Sequence, residues 1–83
     1  MRFDARVEVT LRDGIADPEG ATIERALPAL GFEGVSHVRA GRSFRLAVDA
    51  ESEADACAVA QSLADRLLAN PVLERATVEL VAG

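Results

Sequence analysis

Few side chains in this sequence could do chemistry. His37 is the only histidine and Cys57 the only cysteine, so together they form the one pair that could supply a nucleophile and its base. His37 falls in a predicted strand and Cys57 in an alanine-rich helical stretch, and nothing in their spacing brings them together. One histidine cannot form a histidine cluster for a metal. We therefore expect no catalytic residue, with His37 at a surface or interface and Cys57 a small buried side chain.

An acidic run, Glu51–Asp55, could hold a cation. Acidic residues are also typical of the first turn of a helix, where they interact favourably with the helix dipole. Ser52 followed by Asp55 has the form of a capping box. The sequence has no Walker lysine and no glycine-rich dinucleotide motif. We therefore expect this chain to bind neither a metal nor a cofactor.

Three arginines surround Gly41 and could bind an anion. Arg39, Arg42 and Arg45 could together bind a phosphate or a carboxylate. Arginine is also enriched at protein interfaces, and we favour contact with a partner subunit over ligand binding. The start of the first predicted helix could attract an anion as well, but Asp17 already brings negative charge there.

Length and charge bound the class of protein. The 83 residues suit one domain, 1–83, whose small core would gain from oligomerisation. The net charge of -5 argues against binding to nucleic acid or to anionic membranes. A strand pattern begins at residue 2, where a signal peptide would be expected, and no apolar run has the length of a membrane span. We expect a cytoplasmic protein.

The N-terminal half begins with a strand pattern. Residues 2–12 alternate between apolar and polar side chains, which predicts a strand with one face buried. Asp17 is then a suitable N-cap and Pro18 a suitable first helical residue, while Gly31 suits the C-cap. Pro28 lies inside this helix and cannot donate a hydrogen bond, so we expect a kink or loosening near its end.

The C-terminal half repeats the order of strand and helix. Segments 35–39 and 42–48 predict two strands joined by a hairpin at Ala40-Gly41. A second helix follows, and its predicted apolar stripe consists of Ala56, Val59, Ala60, Leu63 and Leu67. Residues 72–81 predict a last strand, in which Glu74 falls on the apolar side.

The predicted order is therefore β-α-β-β-α-β. This order is that of the ferredoxin-like α+β fold, with an antiparallel four-stranded sheet and two helices on one face.

Three segments also resemble a known family. They are DPEG at 17–20, LGFEGVSHVRAGR at 30–42 and LLANPVLE at 67–74. In order and spacing they resemble PurS, the small subunit of the multi-subunit phosphoribosylformylglycinamidine (FGAM) synthase of purine biosynthesis. The resemblance extends from Phe3 to about Val81. In the third segment, Asn70 tolerates the left-handed conformation that often ends a helix, and Pro71 cannot continue one.

The resemblance implies a catalytically inert subunit that dimerises. Such a subunit holds together a large synthetase subunit, which binds ATP and magnesium, and a glutaminase subunit that releases ammonia. It assists ammonia transfer for the ATP-dependent, glutamine-dependent amidation of formylglycinamide ribonucleotide. The resemblance also implies contact or scaffolding roles for the residues on the family-like motifs, which are Asp17, Pro18, Gly20, Arg39, Gly41, Arg42, Asn70 and Pro71.

A different function is compatible with the same predicted fold. Ferredoxin-like domains often dimerise and bind small molecules, and a fold does not by itself imply a function. A dimeric module that senses a small molecule is therefore the alternative.

Overall fold

The N-terminal strand β1, Arg2–Leu11, is the centre of the fold. In the computed structural model, which describes residues 1–81, it is followed by helix α1 (Pro18–Ala26), strand β2 (Gly41–Asp49), helix α2 (Glu53–Leu63) and strand β3 (Glu74–Val81). The three strands form one antiparallel sheet in the order β2-β1-β3. Its alternation places the apolar residues of β1 on one face, where Ala5, Val7 and Val9 are buried.

Helix α2 covers this apolar face. Its buried residues are Ala56 and Ala60, and Ala64 is buried in the π-helical turn Ala64–Leu68 that continues the helix. Alanines spaced by four residues lie on one side of a helix, and their small side chains let α2 pack closely on the sheet. The predicted stripe was therefore wrong in part, because Val59 and Leu67 are 52% and 74% exposed.

The predicted fourth strand, 35–39, is absent from the described residues. Gly34 and His37 have positive φ angles of 77° and 58°, which interrupt an extended chain. The backbone N–H groups of Val38 and Ala40 donate to the side chains of Glu24 and Asp17 instead of to a neighbouring strand. The hairpin predicted at Ala40-Gly41 is therefore also absent, and the sheet of residues 1–81 has three strands instead of four.

Helix α1 begins and ends as the sequence predicts. Asp17 is its N-cap and Pro18 its first residue. The α-helical part ends at Ala26, a 3-10 turn follows over Pro28–Leu30, and Gly31 closes it in the left-handed conformation with φ 87°. Because a proline cannot donate the hydrogen bond that an α-helix needs, the predicted loosening at Pro28 is confirmed.

Helix α1 does not pack on the sheet beside α2, so the prediction of two helices on one face was wrong. Its apolar residue Ile23 is 45% exposed, and Leu30 and Phe32 after it are 70% and 55% exposed. The molecule measures 50 × 29 × 14 Å, with a radius of gyration of 16.0 Å, against about 12 Å for a compact domain of this length. Helix α1 therefore projects from one end of the sheet.

The close contact between α2 and the sheet gives a test of the fold. Ala60 is fully buried, so Ala60→Leu inserts a large side chain into packed space. We expect it to lower the free energy of unfolding by about 1–3 kcal/mol in urea titrations. The control is Ala58→Leu, at an exposed position of the same helix, which should change it by less than about 0.5 kcal/mol. Equal effects would contradict this packing.

Candidate functional site

The residues of the family-like motifs meet at the end of the sheet from which α1 projects. Strand β1 ends here, and β2 and β3 both begin here, since Thr10 pairs with Gly41 and Leu11 with Glu74. Two hydrogen-bonded groups occupy this end, which we call the Asp17 cluster and the Arg42 cluster. A shallow cavity of about 320 Å³ lies between them, lined by residues of both.

The Asp17 cluster consists of Asp17, Gly20, Arg39 and Ala40. One carboxylate oxygen of Asp17 accepts a hydrogen bond of 3.0 Å from the N–H of Gly20, which caps α1. The other accepts one of 2.7 Å from the N–H of Ala40, just before β2. A single carboxylate therefore joins the start of the helix to the start of the strand.

These bonds set the protonation of Asp17. The N–H of Gly20 lowers the pKa of Asp17 most, the N–H of Ala40 lowers it next, burial opposes them, and the charge of Arg39 adds a smaller lowering. Arg39 itself makes long hydrogen bonds to backbone carbonyls of the β1–α1 connection, namely 3.5 Å to Leu11, 3.4 Å to Arg12 and 3.4 Å to Ile15. Arg39 therefore steadies the connection that leads to the cap.

Both motif glycines lie where a chain passes close by. A Cβ atom on Gly20 would lie 2.5 Å from the backbone oxygen of Val38 and 2.5 Å from the Asp17 carboxylate. A Cβ atom on Gly41 would lie 2.8 Å from the backbone oxygen of Val9. These positions need glycine because segment 38–41 crosses the first turn of α1 and then joins the sheet.

The Arg42 cluster consists of Arg42, Glu74, Leu68 and Asn70. Arg42 donates to both carboxylate oxygens of Glu74 at 3.1 Å and to the carbonyl of Leu68 at 3.0 Å. Its guanidinium also lies over the ring of Phe44, 5.5 Å from the centroid. The N–H of Asn70 lowers the pKa of Glu74 most, burial opposes this, and Arg42 lowers it further. The pair therefore ties β2 to the turn before β3.

The second helical segment ends at the Asn70-Pro71 turn, but not through the left-handed Asn70 that the sequence predicted. Asn70 does not adopt a left-handed conformation, since His37 is the non-glycine residue with positive φ among residues 1–81. Its side-chain oxygen accepts a hydrogen bond of 3.0 Å from the N–H of Val72, which forms an Asx turn. The carbonyl of Pro71 accepts a bond of 3.0 Å from Arg12, so the turn is fixed to the end of β1.

Sequence reasoning named most of these residues but missed Glu24 and Glu74. Glu74 could have been found from the sequence, because it interrupts the apolar side of the last strand. In the structure its side chain is only 19% exposed and lies beside Arg42. No sequence feature points to Glu24, because its side chain accepts a hydrogen bond from the N–H of Val38 only where segment 35–40 passes beside α1. Arg45 lies apart from both clusters, opposite Arg6 in the pairing of β1 with β2.

The residues first considered for chemistry lie elsewhere. His37 is exposed, and its Nδ1 lies 3.0 Å from the hydroxyl of Ser36. The acidic run opens α2, with Ser52 accepting a bond from the N–H of Asp55 as a cap. Within residues 1–81, no three histidine, cysteine or acidic side chains are grouped to hold a metal ion, and no helix is long and apolar enough to cross a membrane.

Comparison with known proteins identifies the family. The model of the PurS family, described as phosphoribosylformylglycinamidine (FGAM) synthase, matches residues 4–82. The chain belongs to the PurS family. A PurS subunit of the synthase from Synechocystis is 39% identical over 80 residues, which are 96% of this chain and 80% of that protein.

Solved PurS structures have the same fold. The PurS subunit of Thermotoga maritima matches with a TM-score of 0.89 and 33% identity, over 98% of this chain and 93% of that one. A chain in the structure of PurLQS from the same organism matches with a TM-score of 0.88 and 33% identity, over 98% of this chain and 99% of that one. The α+β fold with a three-stranded antiparallel sheet is therefore that of the PurS family.

The Asp17 carboxylate makes stability depend on pH. Its pKa is lower in the folded chain than in the unfolded one, so it stabilises the fold above the unfolded pKa, near 4, and this contribution is lost as the pH falls through the folded pKa. Asp17→Asn should therefore lower the urea midpoint at pH 7, and its difference from the original chain should shrink as the pH falls through the folded pKa of Asp17. The exposed Asp13→Asn is the control, and it should change the urea midpoint at pH 7 little.

The close passage of segment 38–41 over Gly20 determines whether Gly20→Ala stabilises or destabilises the chain. In an open helix, Gly→Ala stabilises by up to about 1 kcal/mol, but here the new methyl group would meet the Val38 carbonyl. We expect Gly20→Ala to destabilise the chain by about 1–3 kcal/mol in urea unfolding. Thr22→Ala, exposed in the same helix, should be neutral within about 0.5 kcal/mol. If Gly20→Ala stabilised the chain, the Val38 carbonyl could not lie this close to Gly20.

Proposed function

We propose that this chain is the small, non-catalytic subunit of a cytoplasmic FGAM synthase in purine biosynthesis. The observation that carries the proposal is membership of the PurS family along nearly the whole chain, together with a related chain in the Thermotoga maritima PurLQS structure. The site agrees with this role, because the polar groups of both clusters bond to backbone and to one another. Polar groups that are paired in this way stabilise the backbone conformation and are not available to activate a substrate.

In this proposal the chemistry belongs to partner subunits. A large synthetase subunit binds ATP, magnesium and formylglycinamide ribonucleotide, and a glutaminase subunit releases ammonia from glutamine. This chain bridges the two and helps ammonia to cross between them. It binds no cofactor and no metal of its own.

We further propose that the single domain, 1–83, works as a dimer or a higher oligomer. Residues 82–83 lie outside the described part of the chain. Exposed Leu30, Phe32 and Leu67 would leave large apolar surface in water in a monomer. The elongated shape and the single helix on the sheet also mean that a lone chain buries a small core. A ferredoxin-like arrangement would then be completed by more than one chain.

The end of the sheet that carries the two clusters is our candidate for the surface that meets a partner subunit. Pro18, Arg39, Arg42, Asn70 and Pro71 are all exposed there. The hydrogen bonds of the clusters fix the backbone beneath them, so these side chains are presented in one arrangement. Preorganised surface of this kind binds with a smaller loss of entropy.

The assay that tests the function uses two nitrogen sources. Mixed with its cognate synthetase and glutaminase subunits, the chain should be required for FGAM formation with glutamine. Formation with free ammonium should depend on it much less, because that route needs neither glutaminase nor transfer. Full glutamine-dependent activity without this chain would refute the bridging role and favour a module that senses a small molecule.

Arginine variants test whether the end of the sheet that carries the two clusters meets a partner subunit. Arg39→Ala with Arg42→Ala should weaken assembly with the other subunits by roughly tenfold or more, since arginines often dominate an interface. Urea unfolding of the isolated chain, measured in parallel, should change less, because both side chains are largely exposed. Arg45→Ala with Arg75→Ala, exposed on the other face of the sheet, is the matched control.

A further inference from the structure

The turn at residues 70–73, which leads into β3, is fixed by hydrogen bonds along its whole length. The backbone carbonyl of Asn70 accepts bonds from the N–H of Leu73 at 3.1 Å and of Glu74 at 2.7 Å. The side-chain oxygen of Asn70 accepts one from the N–H of Val72 at 3.0 Å, and the N–H of Asn70 donates to the Glu74 carboxylate at 2.8 Å. Because Pro71 has no N–H, every backbone N–H of the turn is bonded.

The end of strand β1 binds the same turn from its other side. The N–H of Arg12, the residue after β1, donates to the carbonyl of Leu73 at 2.9 Å. The Nε of Arg12 donates to the carbonyl of Pro71 at 3.0 Å. The turn is therefore bonded both to itself and to the central strand, and its backbone has little freedom in the folded chain.

The side chain at the outermost point of this rigid turn is apolar. Val72 is 77% exposed, the highest value among the large apolar side chains of residues 1–81. Leu73 beside it is 42% exposed, and Pro71 before it is exposed as well. One exposed apolar residue is ordinary on a protein surface. Three in succession on a fixed backbone form a rigid apolar projection, which we call the Val72 tip.

The Val72 tip would lose little conformational freedom on binding. A β-branched side chain such as valine has a restricted χ1 angle, and the backbone beneath Val72 is already fixed. The ordering of side chains and loops is one of the main costs of association. Met1 is exposed to a similar extent, 73%, but a methionine side chain loses much more entropy when it is buried.

A cation lies beside the tip. Arg12 is exposed, and its Nε is bonded to the carbonyl of Pro71. Among residues 1–81 its guanidinium makes no ion pair, and its η nitrogens donate to no group. Two η nitrogens can bind one carboxylate through parallel hydrogen bonds, and arginine is enriched at protein interfaces. The tip therefore combines an apolar projection with an arginine that is free to bind an acidic group.

The shape and the chemistry of the tip indicate what it would bind. Sites for small molecules are concave, whereas a side chain that projects into water can enter a recess of another protein. The recess would be apolar, to accept Val72 and Leu73, and would carry a carboxylate beside it, to bind Arg12. The tip is bonded to Glu74 of the Arg42 cluster, so it is continuous with the surface that we assign above to a partner subunit.

We propose that the Val72 tip anchors this chain to a partner subunit of the synthase by entering an apolar recess bordered by a carboxylate. This inference rests on the proposed function, and it names the residues and the chemistry of that contact. The occupant is a different subunit and not a second copy of this chain. A two-fold contact of the tip with itself would bring Arg12 toward its own copy, and like charges placed together oppose association.

Val72→Asp tests the anchor. A carboxylate at this position would be repelled by the recess, so we expect the dissociation constant for the cognate synthetase and glutaminase subunits to rise about tenfold or more. The urea midpoint and the oligomeric state of the isolated chain should change little, because Val72 is exposed. Ala58→Asp, at an exposed position of α2, is the control and should leave the constant unchanged.

The same experiment separates this inference from the proposed function. If Val72→Asp left the constant unchanged while glutamine-dependent FGAM formation still required the chain, the anchor would be wrong and the bridging role would stand. If the chain were not required at all, the proposed function itself would be wrong.

A fluorescent label distinguishes a partner subunit from a second copy. Val72→Cys, in a Cys57→Ala background, is coupled through its thiol to a dye whose emission shifts to the blue in apolar surroundings. Adding the cognate subunits should shift this emission, or the dye should block assembly, whereas the same dye on Ala58→Cys should do neither. A blue shift on concentrating the labelled chain alone would mean that a second copy covers the tip, and the inference would be wrong. A complex that forms without a shift would also overturn it.

Arg12→Gln tests the carboxylate of the recess. Loss of the ion pair should raise the dissociation constant several-fold at low salt and less at high salt, because salt screens the contact in the original chain. Loss of the bond to Pro71 alone would instead raise the constant equally at both salt concentrations, and this result would contradict the recess proposed here. Arg75→Gln, exposed on the other face of the sheet, is the control and should change neither value.

Discussion

The Asp17 carboxylate is the interaction on which the arrangement of this chain depends. Its two oxygens accept hydrogen bonds from the first turn of α1 and from the residue before β2. These two places are 20 residues apart in sequence, and no apolar core lies between them, because α1 does not pack on the sheet. The direction in which α1 leaves the sheet is thus set by polar contacts. A carboxylate that accepts backbone N–H groups is well suited to this, since such charge-assisted bonds are short and directional.

At the same end of the sheet, residues that shape the scaffold have the appearance of a functional motif. Gly20 and Gly41 are needed for close backbone approach, Asp17 and Asn70 for turns and caps, and Arg42 for an ion pair with Glu74. Each requirement is geometric. A chain whose distinctive residues are used in this way has a rigid surface at this end, and that agrees with the proposed role as a subunit that connects other proteins.

The core is made mainly of small side chains. The largest fully buried residues are Val7 and Val9, and the helix contributes alanines. Hydrophobic stabilisation scales with buried apolar area, so such a core provides little of it in one chain. The larger apolar side chains, among them Leu30, Phe32 and Leu67, remain outside. In the proposed oligomer, stability and assembly would be coupled, because these residues would be buried against another chain.

The sequence by itself determined the local structure. Alternation in residues 2–12 was enough to place β1, and Asp17, Pro18, Pro28 and Gly31 set the limits of α1, because caps and proline geometry act over a few residues. The three motifs were enough to indicate the family. All these features depend on neighbours in the chain.

Only the tertiary structure decided the rest. Segment 35–39 has strand-like residues, but His37 has a positive φ angle, and the N–H of Val38 donates to Glu24 while that of the following Ala40 donates to Asp17. These backbone groups therefore bond to side chains of α1 and its N-cap and not to a neighbouring strand. Likewise, the stripe of α2 contained both alanines and larger residues, and the alanines are buried because they let the helix approach the sheet more closely. A hydrophobic pattern shows that a face can be buried, but the surface that it meets, in the same chain or in another, is fixed only by the three-dimensional arrangement.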